Sequence, residues 1–336
     1  MRLHLHRFNE FLFRPDSDAW LSILRIGLGA ELVCYCLSIR TDWVHMLEGG
    51  GHGLISRDLT EAVSTFTSPY IPILTWMVKA GDCIGLTETS TLQLSWTLLF
   101  AAGCMLVLGL FSRSAAIVAW FLHLCAVKST DFMAYGIDNF TTIGLFYLML
   151  APLPDRLTLD ARIWKTRRPD AGNLGFHRRL LQVHVCFIYF FSGLTKCLGA
   201  GWWNGESLWR ALSRPPFDLI SPQILISWRH FLPASAIMVC LIETSYPFLI
   251  WPRKTRLILL GSALALHIGI GLTMGLYLFA LIMIVLNLAA FGPGIVLFNR
   301  AAVLPGSTIV PSARDRTLEL NPGEDVCHRP DRLGLE

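Results

Sequence analysis

Several ionisable side chains interrupt otherwise apolar runs, and Lys196 is the one whose type and setting best suit chemistry. It stands in QVHVCFIYFFSGLTKCLGAGWW, between an aromatic run and the flexible trio Gly199, Ala200 and Gly201. An amine kept among apolar side chains favours its uncharged form, and an uncharged amine is a general base. The competing structural role is an ammonium that snorkels to the membrane interface, and spacing alone does not choose between the two. Arg25 and Glu31 interrupt LRIGLGAELV, Glu243 interrupts CLIETSYPFL, and His267 interrupts LALHIGIGL. A charge at mid-membrane costs at least about 2.5–3.5 kcal/mol, so each of these groups needs partners. An ion pair of Arg25 with Glu31 or Glu243 would satisfy the charges and lock helix packing. His123 and His184 read as neutral core histidines, for which one hydrogen bond suffices.

The elements that hold these groups follow from composition. Of 336 residues, 53% are hydrophobic and 15% charged. An average soluble chain has roughly 45–50% apolar and about 25% charged residues. So apolar a chain cannot surround its core with polar surface, which excludes a soluble globular enzyme, a disordered chain and a nucleic-acid binder. The net charge of +4 is too small to imply a polyanionic partner. The fold class is all-α, a polytopic helical membrane bundle of about eight transmembrane helices with interfacial outer-loop helices. A span needs about 20 residues. The eight candidates are 19–39, 90–111, 115–131, 137–152, 180–199, 234–252, 256–275 and 277–295. The weaker stretch 71–87, which carries Lys79 and Asp82, is expected to be re-entrant or interfacial.

Basic residues orient these spans. Arg2, Arg7, Arg14, Arg113, seven residues between 153 and 179, and Arg253, Lys254 and Arg256 fall on one side. Arg40, Arg57, Lys79, Lys128, Arg210, Arg214 and Arg229 fall on the other, in longer loops. The positive-inside rule makes the first side cytoplasmic. The expectation is a multi-pass protein of the cell membrane with both termini cytoplasmic. Residues 1–18 form a cytoplasmic segment that does not read as a signal peptide, 19–296 the transmembrane domain, and 297–336 a flexible cytoplasmic tail.

Two outer segments look ordered. One, 40–70, contains Gly49, Gly50 and Gly51, which permit a chain reversal. The other, 199–233, carries Trp202, Trp203 and Trp209, which suit the membrane–water interface, and GESLWRALSR, which reads as a short amphipathic helix. Nine cysteines without a CxxC or a Cys/His cluster imply packing rather than disulfides or a metal site. Motifs for phosphate binding, zinc proteolysis and serine hydrolysis do not occur.

The stretch 177–217, HRRLLQVHVCFIYFFSGLTKCLGAGWWNGESLWRALSRPPF, resembles the HTTM family, the membrane domain of vitamin K-dependent gamma-carboxylase. There a span ends in Tyr-Phe-x-x-Gly-x-x-Lys and is followed by a Trp, Gly and Ser segment. Tyr189, Phe190, Gly193 and Lys196 match the first part, and Trp203, Gly205 and Ser207 the second. HIGIGLTMGLYLFALIMI (267–284) resembles the family's span with an early histidine, and Tyr135–Gly136 a further pair, five residues before whose glycine Asp131 takes the place of a histidine. The likeness runs over about residues 15–295. It implies Lys196 as the base that deprotonates a reduced quinone of vitamin K type, with His267, Asp131, Tyr135 and Trp203 lining the substrate site under a roof formed by 199–233. It implies membrane lipid, a quinone or a secreted peptide as partners, and lyase-type chemistry if the site is active. Only some forty polar residues follow position 296, so glutamate carboxylation itself is not expected. The alternative is a non-catalytic membrane factor that assists maturation or export of a secreted peptide, in which Arg25, Glu31, Glu243 and Lys196 only lock the bundle. A secondary transporter ranks last, because no internal repeat is visible.

Overall fold

The computed structural model describes residues 2–49, 57–131, 134–166 and 169–294, and no strand occurs among them. The expected tail over 297–336 and the glycines at 50 and 51 lie outside these residues. The helices in chain order are α1 (Arg2–Leu12), α2 (Ala19–Ser38), α3 (Trp43–Leu47), α4 (Arg57–Thr67), α5 (Leu74–Asp82), α6 (Glu88–Leu108), α7 (Ser112–Ser129) and α8 (Gly136–Leu150). Then follow α9 (Leu159–Ile163), α10 (Ala171–Leu198), α11 (Ala200–Trp203), α12 (Glu206–Ser213), α13 (Pro222–Ser227), α14 (Leu232–Leu249), α15 (Arg253–Met274) and α16 (Tyr277–Phe291).

The eight expected spans coincide with α2, α6, α7, α8, α10, α14, α15 and α16. Five of them, α2, α6, α10, α14 and α15, are long and apolar enough to cross a membrane. The other three are shorter or less apolar. α8 and α16 have 15 residues each, and α7 carries Arg113 and Lys128 near its ends. With nine residues, α5 is too short to cross, in line with the interfacial assignment of 71–87.

Chain direction alternates between two ends of the bundle. At one end Arg25 near the start of α2 donates to the carbonyls of Leu106 and Val107 at the end of α6. The Asp160 carboxylate accepts from the backbone N–H groups of Phe111 and Ser112 at the start of α7, both at 2.7 Å. Arg178 on α10 donates to the Ala290 carbonyl at the end of α16 (3.0 Å) and to Asp16 (2.5 Å). This basic end also carries Arg113, Arg156, Arg179, Arg253, Lys254 and Arg256. The opposite end carries α11 to α13 and the tryptophans 202, 203 and 209.

α16 is the hub. It packs against α2, α8, α10 and α15, with Ile282, Leu286, Ala289, Ala290 and Phe291 buried. Around it α2 pairs with α6 and α10 with α14. Outward faces of α10, α14 and α15 expose Phe187, Phe191, Leu241, Phe248, Ile258 and Leu272. Such a girdle is the lipid-facing surface of a multi-pass membrane protein, whose backbone polar groups are satisfied inside helices.

The expected pairing of the buried arginine is corrected here. Arg25 pairs neither with Glu31 nor with Glu243. Its Nε donates to Asp155 Oδ2 at 2.6 Å, with both side chains fully buried. Asp155 follows α8 in a segment read as lying wholly outside the membrane, and the fold tucks it under the bundle where it meets the first turns of α2. Ser22 Oγ donates to its other oxygen at 2.6 Å.

Candidate functional site

Lys196 lies in the last turn of α10. Ser192 and Tyr189 precede it by four and seven residues and so share its helical face. That face meets α14. A β-carbon on Gly193 would stand 2.6 Å from the backbone nitrogen of Thr244 and 2.9 Å from the carbonyl carbon of Glu243, so only glycine lets the two backbones approach this closely. The close crossing brings Lys196 Nζ to 2.6 Å from Glu243 Oε2 and to 2.6 Å from Ser192 Oγ. Lys196 is 20% exposed and Glu243 8%, so the amine is the reachable member of a pair whose carboxylate is buried. The ring of Trp202 covers the amine, its centroid 5.3 Å from Nζ.

Deeper along α10 and α14, these helices join α15 and α16 in a buried hydrogen-bonded chain. Tyr246 Oη donates to Asn287 Oδ1 at 2.5 Å, Asn287 Nδ2 donates to Tyr189 Oη at 2.9 Å, and Tyr189 Oη meets His267 Nε2 at 2.7 Å. The two tyrosine rings stack with centroids 4.0 Å apart. With Tyr189 accepting from Asn287, its hydroxyl proton is directed to His267 Nε2, which places the histidine's own proton on Nδ1. That Nδ1 is buried and has no hydrogen-bond partner among the described residues. Tyr189, seven residues before Lys196 on the same face of α10, stands between the amine and this chain. The arrangement therefore joins an accessible amine, a buried carboxylate and an unused imidazole N–H.

The remaining expected site residues lie at the same end of the bundle, but no contact joins them to Lys196 among the described residues. Trp203 is half exposed and donates from Nε1 to the Cys197 carbonyl at 2.9 Å, closing the end of α10. The indole over the amine is Trp202. Asp131 pairs with Lys128 at 3.1 Å in a shallow groove that includes Thr60, Ser64 and Ile73. Tyr135 is half exposed, with its ring edge-on to Phe217 at 6.4 Å. Its neighbour Gly136 is packed so tightly that a β-carbon would come within 2.8 Å of the Phe279 ring. Phe279 in turn contacts His267 (5.7 Å between centroids), so the Tyr135–Gly136 pair connects to the site through one aromatic ring.

The roof over 199–233 is ordered. α12 sets Leu208, Trp209 and Leu212 against Leu225, Leu232 and Met274. Gly205, at φ +80°, starts α12 directly over Leu232 and Pro233 at the beginning of α14.

These matched positions, Tyr189, Gly193, Lys196, Gly205 and His267, thus occupy one end of one helix group. A family model described as HTTM domain matches residues 13–293. The chain belongs to the HTTM family. No curated protein and no solved structure matches it. Within this HTTM domain, Tyr246 and Asn287 join the candidate site without having been singled out from the sequence, and Trp202, expected only as an interfacial residue, covers the amine. Asn287 carried a usable signal, a lone amide in the apolar run LIMIVLNLAAF. Tyr246 lies three residues beyond Glu243 on its inward face. Glu31 is fully buried elsewhere in the HTTM bundle and is not part of this cluster.

Proposed function

We propose that this HTTM protein uses the Lys196–Glu243 pair to exchange a proton with a lipid-soluble or peptide substrate held at the tryptophan end. That end faces outward from the cell membrane, since Lys and Arg concentrate at the other. The observation that carries the proposal is the 2.6 Å contact between a reachable amine and a buried carboxylate inside an apolar bundle. Glu243 gives the amine a place to deliver its proton without releasing it to water. In apolar surroundings an uncharged amine–acid pair avoids the desolvation cost that an ion pair bears. Lys196 is then free to accept a proton from a group arriving beside it.

The residues present fit a reduced quinone of the vitamin K type. Trp202 offers an aromatic face and Lys196 a proton acceptor, while His267 Nδ1 is sealed inside the bundle behind them. Such a quinol, when bound, supplies an acidic ring hydroxyl. Tyr189, Asn287 and Tyr246 hold the His267 ring in one orientation, and the α11–α12 roof limits water. This likeness to vitamin K-dependent gamma-carboxylase is confined to the lysine site, and carboxylation of glutamate is not proposed.

The test is mass spectrometry of lipids retained by the purified protein. Wild type is expected to retain a quinone, and Lys196→Ala to lose it while remaining folded. Equal retention by both would overturn the quinol site.

The alternative function is a non-catalytic membrane factor that helps a secreted peptide mature or leave the cell. It is favoured by the two hydrogen bonds that tie the amine to Ser192 and Glu243, which also serve a lock. A pure lock is restored by exchanging the charges, Lys196→Glu with Glu243→Lys. A proton-transfer site is not.

A further inference from the structure

Glu31, midway along α2, is fully buried, and neither of its carboxyl oxygens has a hydrogen-bond partner among the described residues. Four other buried side-chain atoms share this condition among the described residues, and two of them, Thr141 Oγ1 on α8 and His123 Nε2 on α7, lie near Glu31, whereas Trp20 Nε1 and His267 Nδ1 do not. Packing brings the three into one region. Gly144 on α8 accommodates Leu28 of α2, whose Cδ2 would stand 2.9 Å from a β-carbon there. The two helices run antiparallel, so three residues on from Leu28 and three back from Gly144 set Glu31 opposite Thr141. One turn further along α2, the ring of Tyr35 lies 5.3 Å from that of His123.

The hydrogen bonds also settle what these atoms can do. Thr142 Oγ1 donates its only proton to the Asp138 carbonyl at 2.8 Å. It can therefore only accept from His123 Nδ1, 2.9 Å away, which leaves His123 Nε2 as a bare lone pair. Glu31 and His123 thus present unused acceptors, and the Thr141 hydroxyl near them can accept or donate.

Among the described residues no positive charge is at hand. On α2, Arg25 is already held by Asp155, and Tyr35 and Cys36 are neutral groups. Cys104 on α6 and Cys125 on α7 are thiols. Asp138 on α8 is itself acidic and accepts from the Tyr135 N–H. α16 offers only Asn287, bound to Tyr189 and Tyr246. A buried carboxyl without a partner calls for a physical explanation, and at membrane depth the first explanation is function.

We propose that Glu31, with Thr141 and His123 beside it, is a membrane-embedded site for one monovalent cation. A single carboxylate in apolar surroundings neutralises one positive charge, which excludes a divalent ion. A proton and a sodium ion satisfy the same chemistry, and the experiment separates them. Infrared difference spectra are recorded on the full chain in lipid nanodiscs, in choline chloride and in sodium chloride, for wild type and Glu31→Gln. Wild type in choline is expected to show a protonated-carboxyl component at neutral pH that Glu31→Gln loses, over whatever band Glu243 contributes to both. Retention of the band in sodium assigns the site to a proton, and its conversion to a carboxylate band assigns it to sodium. A wild-type spectrum that matches that of Glu31→Gln in both choline and sodium would overturn the proposal. Because Glu31→Gln can fail to fold, wild type is also treated with dicyclohexylcarbodiimide, which attacks protonated carboxyls in apolar settings. A Glu31 adduct found by peptide mass spectrometry supports the site, and an unmodified Glu31 in choline refutes it.

Discussion

The two ends of the bundle each hold a buried ion pair, and the two pairs are built differently. At the basic end Arg25 is saturated. It donates to Asp155 and to two carbonyls, and Asp155 also accepts from Ser22 and the Leu157 N–H. Both side chains have zero exposure. A guanidinium that stays charged, held in a planar fork, makes a fixed clamp. At the tryptophan end Lys196 meets one carboxylate oxygen and one hydroxyl, under an indole and beside a glycine-rich hinge. An amine on a flexible stem can lose its proton and be reached from outside. The comparison teaches that a membrane charge is assigned a role by how many of its donors are already used.

Substitutions can break or sharpen this contrast. The largest effect is expected at the clamp. Asp155→Ala strands a fully buried arginine and should cost about 3–5 kcal/mol, read as loss of monodisperse protein or a large drop in thermal stability in detergent. Next, Gly193→Ala forces a methyl group against the α14 backbone. It should destabilise by about 1–3 kcal/mol and weaken the Lys196–Glu243 coupling, which cross-linking between 192 and 244 cysteine variants would report as reduced yield. For the pair itself, a double-mutant cycle of Lys196→Met and Glu243→Gln should give a coupling of about 1.5–3 kcal/mol. An unchanged stability in both single variants would remove the distinction between the pair and an ordinary surface contact. The smallest effect is expected at Arg210, paired with Glu206 in the open on α12. Arg210→Ala should change stability by no more than about 0.5 kcal/mol.

Much of this was legible before the fold was seen. Hydropathy marks all eight helices because a lipid-facing segment has to be apolar along its length, although three of them are shorter or less apolar than a full span. Lys196 was legible from its setting, and the amphipathic run after Asn204 from its periodicity. The partners of the charges were not. Arg25 and Asp155 are 130 positions apart, and nothing in either segment says that the turn after α8 lies beneath α2. Neighbour order in a bundle is a property of packing, and a single sequence records only which helices exist. Tyr246 escaped for the same reason, being unremarkable within its own helix, and the lone amide of Asn287 marked a buried polar group without naming its partners. Trp203 was favoured over Trp202 because two adjacent indoles cannot be told apart until the hinge at Gly199 sets which one turns back over the amine.

α16 carries one more implication. The helix at the centre, touched by α2, α8, α10 and α15, is also the last of the described helices to be synthesised. Its neighbours enter the membrane before it exists, so during biosynthesis Arg178 lacks the Ala290 carbonyl and Tyr189 lacks Asn287, although their earlier partners are already present. The early helices have to wait as a loosely gathered ring that lipid or an insertion factor fills, and arrival of the final segment is what closes it. Interrupting translation just before position 277 should therefore leave every earlier helix inserted and the assembly still open to protease and detergent.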